Sequence, residues 1–245
     1  MVDYNKLRAV VLSSVKYGES SLIVHVYTDQ GGRQSFMVNG VARKGKRPGK
    51  IVLFQPLSLL EIVAVPPKKS TLLRVKEVIN PFPGLYVNAD LRKGAIAVFL
   101  AELLSKTMRE EEPNESLFAF LWSSIQMLDA VEEGVANFHL VFMAQLTRFL
   151  GFFPKISADT SSTIFFDIKN GVFRNTLPSH PVVILDPLSS LLLKVFEGSF
   201  SDLNKIGLNH TQRNLLAEVL VDYFQHHMDG VSNLKSLAVL KEVFN

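Results

Sequence analysis

Hydrophobic and polar residues alternate along the first 80 residues with the two-residue period that is typical of β-strands. The predicted strands cover residues 8–15, 20–28, 33–39, 57–65 and 71–79. In the second of them, Leu22, Val24 and Val26 share one face, and the turn that follows at residues 29–32 offers two glycines. Five short strands with no amphipathic helix between them indicate a small closed barrel, and their number favours the OB type.

The hydrophobic period lengthens to three or four residues after the segment NPFPG at residues 80–84, where two prolines and a glycine interrupt regular structure. Helices are predicted at residues 90–109, 114–131, 135–150, 186–196, 210–228 and 232–244. Asn114 is expected to cap the second of them. Within this half, TIFFDIKNGVF at residues 163–173 indicates a β-hairpin that turns at Asn170-Gly171.

These patterns predict a mixed α+β chain with two domains. An OB-fold β-barrel over residues 1–80 is followed by an α-helical domain over residues 81–245, with a small β-hairpin insertion near residues 157–175. No apolar run approaches the roughly 20 residues that cross a bilayer, and the start lacks the basic region of a signal peptide. We therefore expect a soluble, cytoplasmic protein.

Charge is distributed unevenly between the two predicted domains, although the whole chain has a net charge of only +3. Residues 1–80 hold 13 basic and five acidic side chains, a net charge of +8, whereas residues 81–245 have a net charge of −5. A basic module joined to an acidic one suggests that the first binds a polyanion and the second a different partner. The alternative is that the asymmetry arose by chance.

Cations are concentrated between the third and fourth predicted strands. Five of the eight residues from 43 to 50 are basic: Arg43, Lys44, Lys46, Arg47 and Lys50. Two glycines and a proline in this stretch exclude an amphipathic helix, and a loop of cations suits phosphates because each neutralised phosphate releases counterions. Further candidates for the same site are Arg33, Lys68, Lys69, Arg74 and Lys76. The alternative for all of these residues is a solvated surface charge.

Aromatic rings on such a barrel can stack on nucleic-acid bases, and the candidates are Tyr17, Tyr27 and Phe36. Strand alternation places many such rings in the barrel core instead, and we favour the core for each of the three.

Composition excludes several kinds of chemistry. The chain has no cysteine, which excludes disulfides, thiolate zinc sites, iron–sulfur clusters and a cysteine nucleophile. It contains no motif of serine hydrolases, P-loop proteins, dinucleotide-binding folds or helical zinc peptidases. No histidine has a partner at metal-binding spacing, and Glu110-Glu111-Glu112 is typical of a solvated helix end. We expect no enzyme activity, no metal and no cofactor.

Several segments, taken in order, form a set that is characteristic of one known family. The amino-terminal segments are RAVVL (8–12), YGESS (17–21), YTDQGGR (27–33), NGVARK (39–44) and FQPL (54–57). The carboxy-terminal positions are Arg213, Leu216, Leu220, Tyr223, Gly230 and LKSL (234–237). This ordered set covers most of the predicted barrel and the last helices, and it resembles the RecO family of recombination mediators.

The resemblance implies an OB-fold domain that binds single- and double-stranded DNA, followed by a helical domain. It further implies annealing of complementary strands and work with RecR. Together the two proteins would displace single-strand-binding protein so that RecA can load. Such a protein would act in the cytoplasm, in association with the nucleoid.

One departure from the family concerns zinc. Many members carry a four-cysteine zinc site in the helical half, after the position of residues 151–154, and this chain has no cysteine. The predicted hairpin offers apolar residues instead, namely Phe165, Phe166, Ile168, Val172 and Phe173. We expect packing rather than metal to hold the insertion.

The resemblance also implies that the helical domain receives the acidic, apolar carboxy-terminal tail of single-strand-binding protein. A groove for such a tail needs apolar walls and a cation for the terminal carboxylate. Arg148, on the mostly apolar helix at residues 135–150, is the first candidate. The alternative is an ordinary surface arginine that is favourable at a helix end.

Two other functions are compatible with the pattern. An OB-fold RNA-binding module would use the same basic loop, and contacts to the 2′-hydroxyl would distinguish it. A hydrolase built from scattered Asp and His residues is disfavoured, because no nucleophile and base occur in a known motif.

Overall fold

Five strands close into a barrel in the amino-terminal part of the chain. The structure is a computed structural model that describes residues 6–41, 50–65, 72–82, 87, 89–157, 159 and 162–244. The strands are β1 (Leu7–Tyr17), β2 (Ser21–Thr28), β3 (Gly32–Asn39), β4 (Leu59–Val65) and β5 (Leu73–Ile79). Their order is β1-β2-β3-β5-β4, with β3 and β5 parallel and the other neighbouring pairs antiparallel. This arrangement confirms the predicted OB-type barrel.

Strand β1 closes the barrel because it pairs with two different strands. Residues 7–10 pair with β4, while residues 9–17 pair with β2. A β-bulge between Val11 and Ser13 shifts the register of the second pairing by one residue. Ala9 and Val10, before the bulge, pair with both strands and close the barrel, whereas the residues after it pair with β2 only. Bulges bend a strand and increase its twist, so β1 changes direction where its pairing with β4 ends. Because side chains alternate between the two faces, the shift also changes which residues of β1 point outward.

The barrel interior is filled by inward-facing apolar side chains. The buried core residues are Leu7, Ala9, Val11, Leu22, Val24, Val26, Phe36, Val38, Val41, Phe54, Leu60, Ile62 and Ala64. Leu22, Val24 and Val26 are among them, which confirms the face predicted for β2. From β5, Leu73 and Val75 pack against the same core.

Strand β4 begins two residues later than the sequence predicts. A 3-10 turn at Lys50–Phe54 precedes it, and Leu57 then has a φ of 59°, in the left-handed region. A residue in this conformation cannot continue a strand. The Leu57 N–H donates to the carbonyl of Val11 at 2.9 Å, and the Leu57 side chain is buried. Tertiary contacts therefore hold a turn that local sequence does not indicate.

Two helices lie in the same compact unit as the barrel, which extends to Ala130. They are α1 (Leu91–Thr107), which packs on β1, and α2 (Glu115–Ala130). The Asp90 carboxylate caps α1 by accepting from the backbone N–H of Arg92 and Lys93. Asn114 caps α2, as predicted, by accepting from the N–H of Leu117 at 3.0 Å. The predicted domain boundary at residue 80 stays a prediction.

Arg33 fastens β3 to the end of α1. Its Nη1 donates to the carbonyls of Ser105 and Met108 at 2.8 and 2.9 Å, and its backbone N–H donates to the carbonyl of Glu110 at 2.9 Å. These contacts satisfy carbonyls that a helix end leaves unpaired. Gly32 allows the close approach, because a Cβ there would lie 2.3 Å from the carbonyl oxygen of Glu112.

The second compact unit begins at Val131, and its described residues form four α-helices. They are α3 (Phe138–Phe149), α4 (Leu188–Glu197), α5 (His210–His227) and α6 (Ser236–Val243). Three of them begin two to four residues later than predicted. A 3-10 turn at Val135–Asn137 precedes α3, Pro187 precedes α4, and Asn233, with a φ of 51°, interrupts the chain before α6.

The insertion is a four-stranded sheet rather than an isolated hairpin. The predicted hairpin forms β7 (Phe165–Asp167) and β8 (Val172–Arg174). Two further strands, β6 (Lys155–Ile156) and β9 (Val183–Ile184), extend it in the order β6-β8-β7-β9. The sequence prediction missed these strands because two residues are too few to show alternation.

Aromatic packing holds this sheet. Phe166 and Phe173 stack with ring centroids 4.4 Å apart, and Phe196 meets the Phe173 ring edge-on at 5.7 Å. The hydroxyl of Tyr223 on α5 donates to the carbonyl of Phe152, so the helix is tied to the chain that enters β6. The expected packing of the insertion by its phenylalanines is therefore present.

A buried carboxylate forms hydrogen bonds and ion pairs at the turn between β7 and β8. Asp167 is fully buried and accepts from the N–H and the Nδ2 of Asn170 at 3.0 and 2.9 Å. His180 Nε2 and Arg174 Nη1 lie 3.3 and 3.8 Å from its oxygens. Burial alone would raise the pKa of Asp167, but the Asn170 hydrogen bonds, together with His180 and Arg174, lower it below its usual value.

Asp167→Ala should lower the free energy of unfolding by about 2 kcal/mol at pH 7, because it removes a charged acceptor from these partners. The carboxylate stabilises the fold above its ordinary pKa of 3.8, and this contribution is lost as the pH falls through the lower folded value. Urea unfolding at pH 7 and pH 3 measures both effects.

The parent protein should lose more stability between pH 7 and pH 3 than the Asp167→Ala variant does. Asp167→Asn, which keeps the shape of the side chain and one acceptor, should be destabilised less. Equal stability of parent and Asp167→Ala at pH 7 would contradict the assignment.

Candidate nucleic-acid interface

The outer face of the barrel presents a row of neighbouring side chains across four strands. Val15 on β1 pairs with Ile23 on β2, Ile23 pairs with Met37 on β3, and Met37 pairs with Arg74 on β5. Their sequence neighbours in β2 and β3 point into the core, so this row points outward. Val15 and Arg74 are exposed, and Ile23 and Met37 are half-buried.

A second row lies two residues, or about 7 Å, further along the strands. It contains Tyr17, its partner Ser21, and Asn39 opposite Ser21. The Ser21 hydroxyl donates to Asn39 Oδ1 at 3.0 Å. The Tyr17 side chain is 54% exposed. We call the two rows, from Tyr17 to Arg74, the outer barrel face.

The other two candidate rings are buried, Phe36 inside the barrel and Tyr27 on the outer side of β2, where it alternates with the core-facing Val26. The favoured placement in the core is therefore right for Phe36 and wrong for Tyr27 and for the exposed Tyr17. Burial, with a smaller contribution from the charge of Glu110, raises the pKa of Tyr27 to about 12. Neither ring is available to a ligand.

The predicted basic segments attach to the margins of the outer barrel face. The N–H of Val41 donates to the carbonyl of Ser20 at 2.9 Å, so the chain leaves β3 beside the turn that follows Tyr17. The predicted cations of that segment, namely Arg43, Lys44, Lys46 and Arg47, lie outside the described residues. Lys68 and Lys69 also lie outside them, between Val65 and the start of β5. Val65, the last described residue before this second segment, pairs with Arg74, as Met37 does. The described chain therefore stops beside the first row, which contains Met37 and Arg74.

Arg74 and Lys76 are exposed on the outward side of β5, where they alternate with the core-facing Leu73 and Val75. Within the described part of the chain, no carboxylate forms an ion pair with Arg74. Lys76 Nζ lies 3.7 Å from Glu77 Oε1, a well-exposed pair of little energetic weight. Lys50 is exposed where the chain re-enters the described region. These three predicted cations are accessible to phosphates.

Arg33 is not grouped with these cations. Its guanidinium is occupied by the carbonyls at the end of α1, and we assign it a structural role. A contact of Arg33 with DNA stays a sequence prediction. The sequence pattern could not predict the hydrogen bonds of Arg33 to the end of α1, because the acceptors are backbone carbonyls more than 70 residues away.

The barrel surface is neutral and polar in the next row, beside Val15 and away from Tyr17. There His25 pairs with Ser13 and Ser35, and its Nδ1 lies 2.7 Å from Ser35 Oγ. Burial, followed by the charge of Arg33, lowers the pKa of His25. The imidazole is therefore uncharged at neutral pH and adds no positive charge beside the outer barrel face.

Arg148 lies near the end of α3 in the second unit. Its guanidinium lies over the Phe153 ring, 3.5 Å from the centroid, and its Nε donates to Gln145 Oε1 at 3.0 Å. Three apolar residues that follow Arg148 in the sequence are half-buried, namely Phe149, Leu150 and Phe153. The side chain is exposed, so the structure presents a fixed cation on a partly apolar surface.

The described residues contain no group of three or more His, Asp or Glu side chains arranged to hold a metal ion. None of their helices combines the length and the apolar character needed to cross a membrane.

Comparison with known proteins assigns both parts of the chain. The family model described as "Recombination protein O N terminal" matches residues 1–82, and "Recombination protein O C terminal" matches residues 88–238. A DNA repair protein RecO of Flavobacterium psychrophilum is 38% identical over 241 residues, which are 98% of this chain and 99% of that protein. The RecO proteins of Bacteroides fragilis and Porphyromonas gingivalis are 39% and 30% identical, each over 241 residues. A closed five-stranded barrel, a helical second part and these full-length matches show that the chain belongs to the recombination protein O family, whose curated relatives are DNA repair proteins.

Proposed function

We propose that this protein is a non-enzymatic mediator of DNA repair and homologous recombination that binds DNA through its barrel. The observation that carries this proposal is the set of accessible cations in the barrel unit, with Arg74 on the outer barrel face, Lys76 two residues further along β5, and Lys50 before β4. Since phosphates are common to both forms of DNA, these cations would bind single and double strands. Its site of action would be the cytoplasm, at the nucleoid.

Annealing follows from the same charges. Two complementary strands repel each other through their phosphates, and a surface with a net charge of +8 over residues 1–80 lowers that repulsion. Released counterions supply the free energy, so no covalent step and no catalytic residue are needed. In the cell the strands would be coated with single-strand-binding protein, and the mediator would act with RecR to clear them for RecA.

Replacing Arg74 and Lys76 together with glutamine should weaken DNA binding and reduce its salt dependence. Each phosphate contact contributes about −0.7 to the slope of log K against log salt concentration for single strands, so two lost contacts should flatten it by about 1.4. Alanine at Arg43, Lys44, Lys46 and Arg47 should flatten the slope further. Fluorescence anisotropy of a labelled oligonucleotide over a salt series measures the slopes.

The matched control removes two exposed lysines from the second unit, Lys155→Gln with Lys194→Gln. This control variant should keep the parent slope. If the Arg74 and Lys76 variant also keeps the parent slope, β5 is not part of the DNA site. A matched RNA strand bound more tightly than DNA would support the RNA-binding alternative instead.

We further propose that Arg148 receives the carboxylate of the acidic tail of single-strand-binding protein. A terminal carboxylate would pair with the guanidinium while apolar tail residues cover the neighbouring Phe153 ring. The stacked ring and the hydrogen bond to Gln145 fix the guanidinium before binding, which reduces the entropy lost in the complex.

Arg148→Ala should weaken binding of a synthetic acidic tail peptide about tenfold or more, as expected for a charged pair worth 1.5–3 kcal/mol, while leaving DNA affinity unchanged. Calorimetric titration measures the peptide affinity. Arg148→Lys, which keeps the charge and loses the planar fork, should give an intermediate value. An unchanged peptide affinity in Arg148→Ala would place the tail elsewhere.

A further inference from the structure

The outer barrel face carries apolar surface as well as charge. Val15 and Tyr17 are 55% and 54% exposed, and both point outward from the same strand. Ile23 and Met37 continue the apolar surface toward Arg74. Phosphates make no use of such side chains, so charge neutralisation alone does not account for their exposure.

Tyr17 is the ring on this surface that is free to accept a ligand. Among the described residues, the ring has no aromatic neighbour and the hydroxyl has no hydrogen-bond partner. Other aromatic rings of the first unit are engaged: Tyr27 is buried, and Phe118 and Trp122 lie against the guanidinium of Arg8 at 5.2 and 5.7 Å.

The position of Tyr17 complements the cations. Along the curved surface of the closed barrel, Arg74 lies three strand spacings from β1, a path of about 14 Å, and one row away from Tyr17. On the other side, the predicted basic segment leaves the described chain at Val41, which is hydrogen-bonded to Ser20 in the turn after Tyr17. A strand that follows this curved surface would thus meet both the ring of Tyr17 and the guanidinium of Arg74.

We propose that Tyr17 stacks on an unpaired base, and that the outer barrel face thereby distinguishes single-stranded DNA from duplex. In a duplex the faces of the bases are covered by their neighbours, whereas a single strand can turn a base onto an exposed ring. The cations bind both forms, and the ring adds affinity for one of them. This inference rests on the proposed DNA-binding function of the same face.

The test compares Tyr17→Ala and Tyr17→Phe with the parent on three probes of equal length. They are an oligothymidine strand, a strand of abasic nucleotides and a blunt duplex, at one salt concentration. Loss of one stacked base should lower the affinity of Tyr17→Ala for oligothymidine about tenfold. Its affinity for the abasic strand and the duplex should change less than twofold, and Tyr17→Phe should match the parent on all three.

Leu177→Ala is the matched control, because Leu177 is an apolar side chain that is 61% exposed in the second unit. It should bind every probe as the parent does. A second measurement uses Tyr17→Trp, whose indole fluorescence should be quenched by oligothymidine and not by the abasic strand. This readout does not depend on the stability of the alanine variant.

The outcomes separate the two proposals. If the parent binds none of the three probes, the proposed function fails and this inference fails with it. If the parent binds all three and Tyr17→Ala binds oligothymidine equally well, the stacking inference alone is overturned. An equal loss on all three probes, or equal quenching of the Tyr17→Trp indole by both strands, also overturns it.

Discussion

The bulge between Val11 and Ser13 is the constraint on which the binding face of the barrel depends. It follows Ala9 and Val10, the residues of β1 that pair with both β4 and β2 and so close the sheet. It also reverses the side-chain parity of the strand. Before the bulge Val11 points into the core, whereas after it Val15 and Tyr17 point outward. One inserted residue therefore turns Val15 and Tyr17 toward the surface to which we assign DNA binding.

This constraint also explains where sequence reasoning succeeded and failed. Alternation in β2 placed Leu22, Val24 and Val26 correctly, because that strand is regular and fully paired. The same rule, carried unbroken along β1, puts Tyr17 on the inner face, and no local signal marks the bulge. Leu57 and Arg33 are similar cases, since the turn and the guanidinium contacts are set by distant backbone. The helices and the Asn114 cap, whose determinants are local, were predicted, although three helices begin two to four residues later than expected.

The boundary between the two compact units differs from the boundary between the two family models. The two family models meet between residues 82 and 88, whereas the compact units meet after Ala130, so α1 and α2 are packed with the barrel. Arg33 and Gly32 provide the physical reason, because they lock β3 to the backbone that follows α1. The barrel is thus braced on one side by helices and open on its outer face. In the second unit, stacked phenylalanines and the Asp167 network hold the inserted sheet.

The central claim is that accessible cations on the barrel bring complementary strands together. The most direct measurement is the annealing rate of two fluorescent complementary strands coated with single-strand-binding protein, followed over a salt series for the parent and for the Arg74→Gln, Lys76→Gln variant. The account predicts an acceleration by the parent that fades as salt rises and is reduced in the variant. Strands that are bound without faster annealing, or an acceleration that is independent of salt and equal in both proteins, would contradict it.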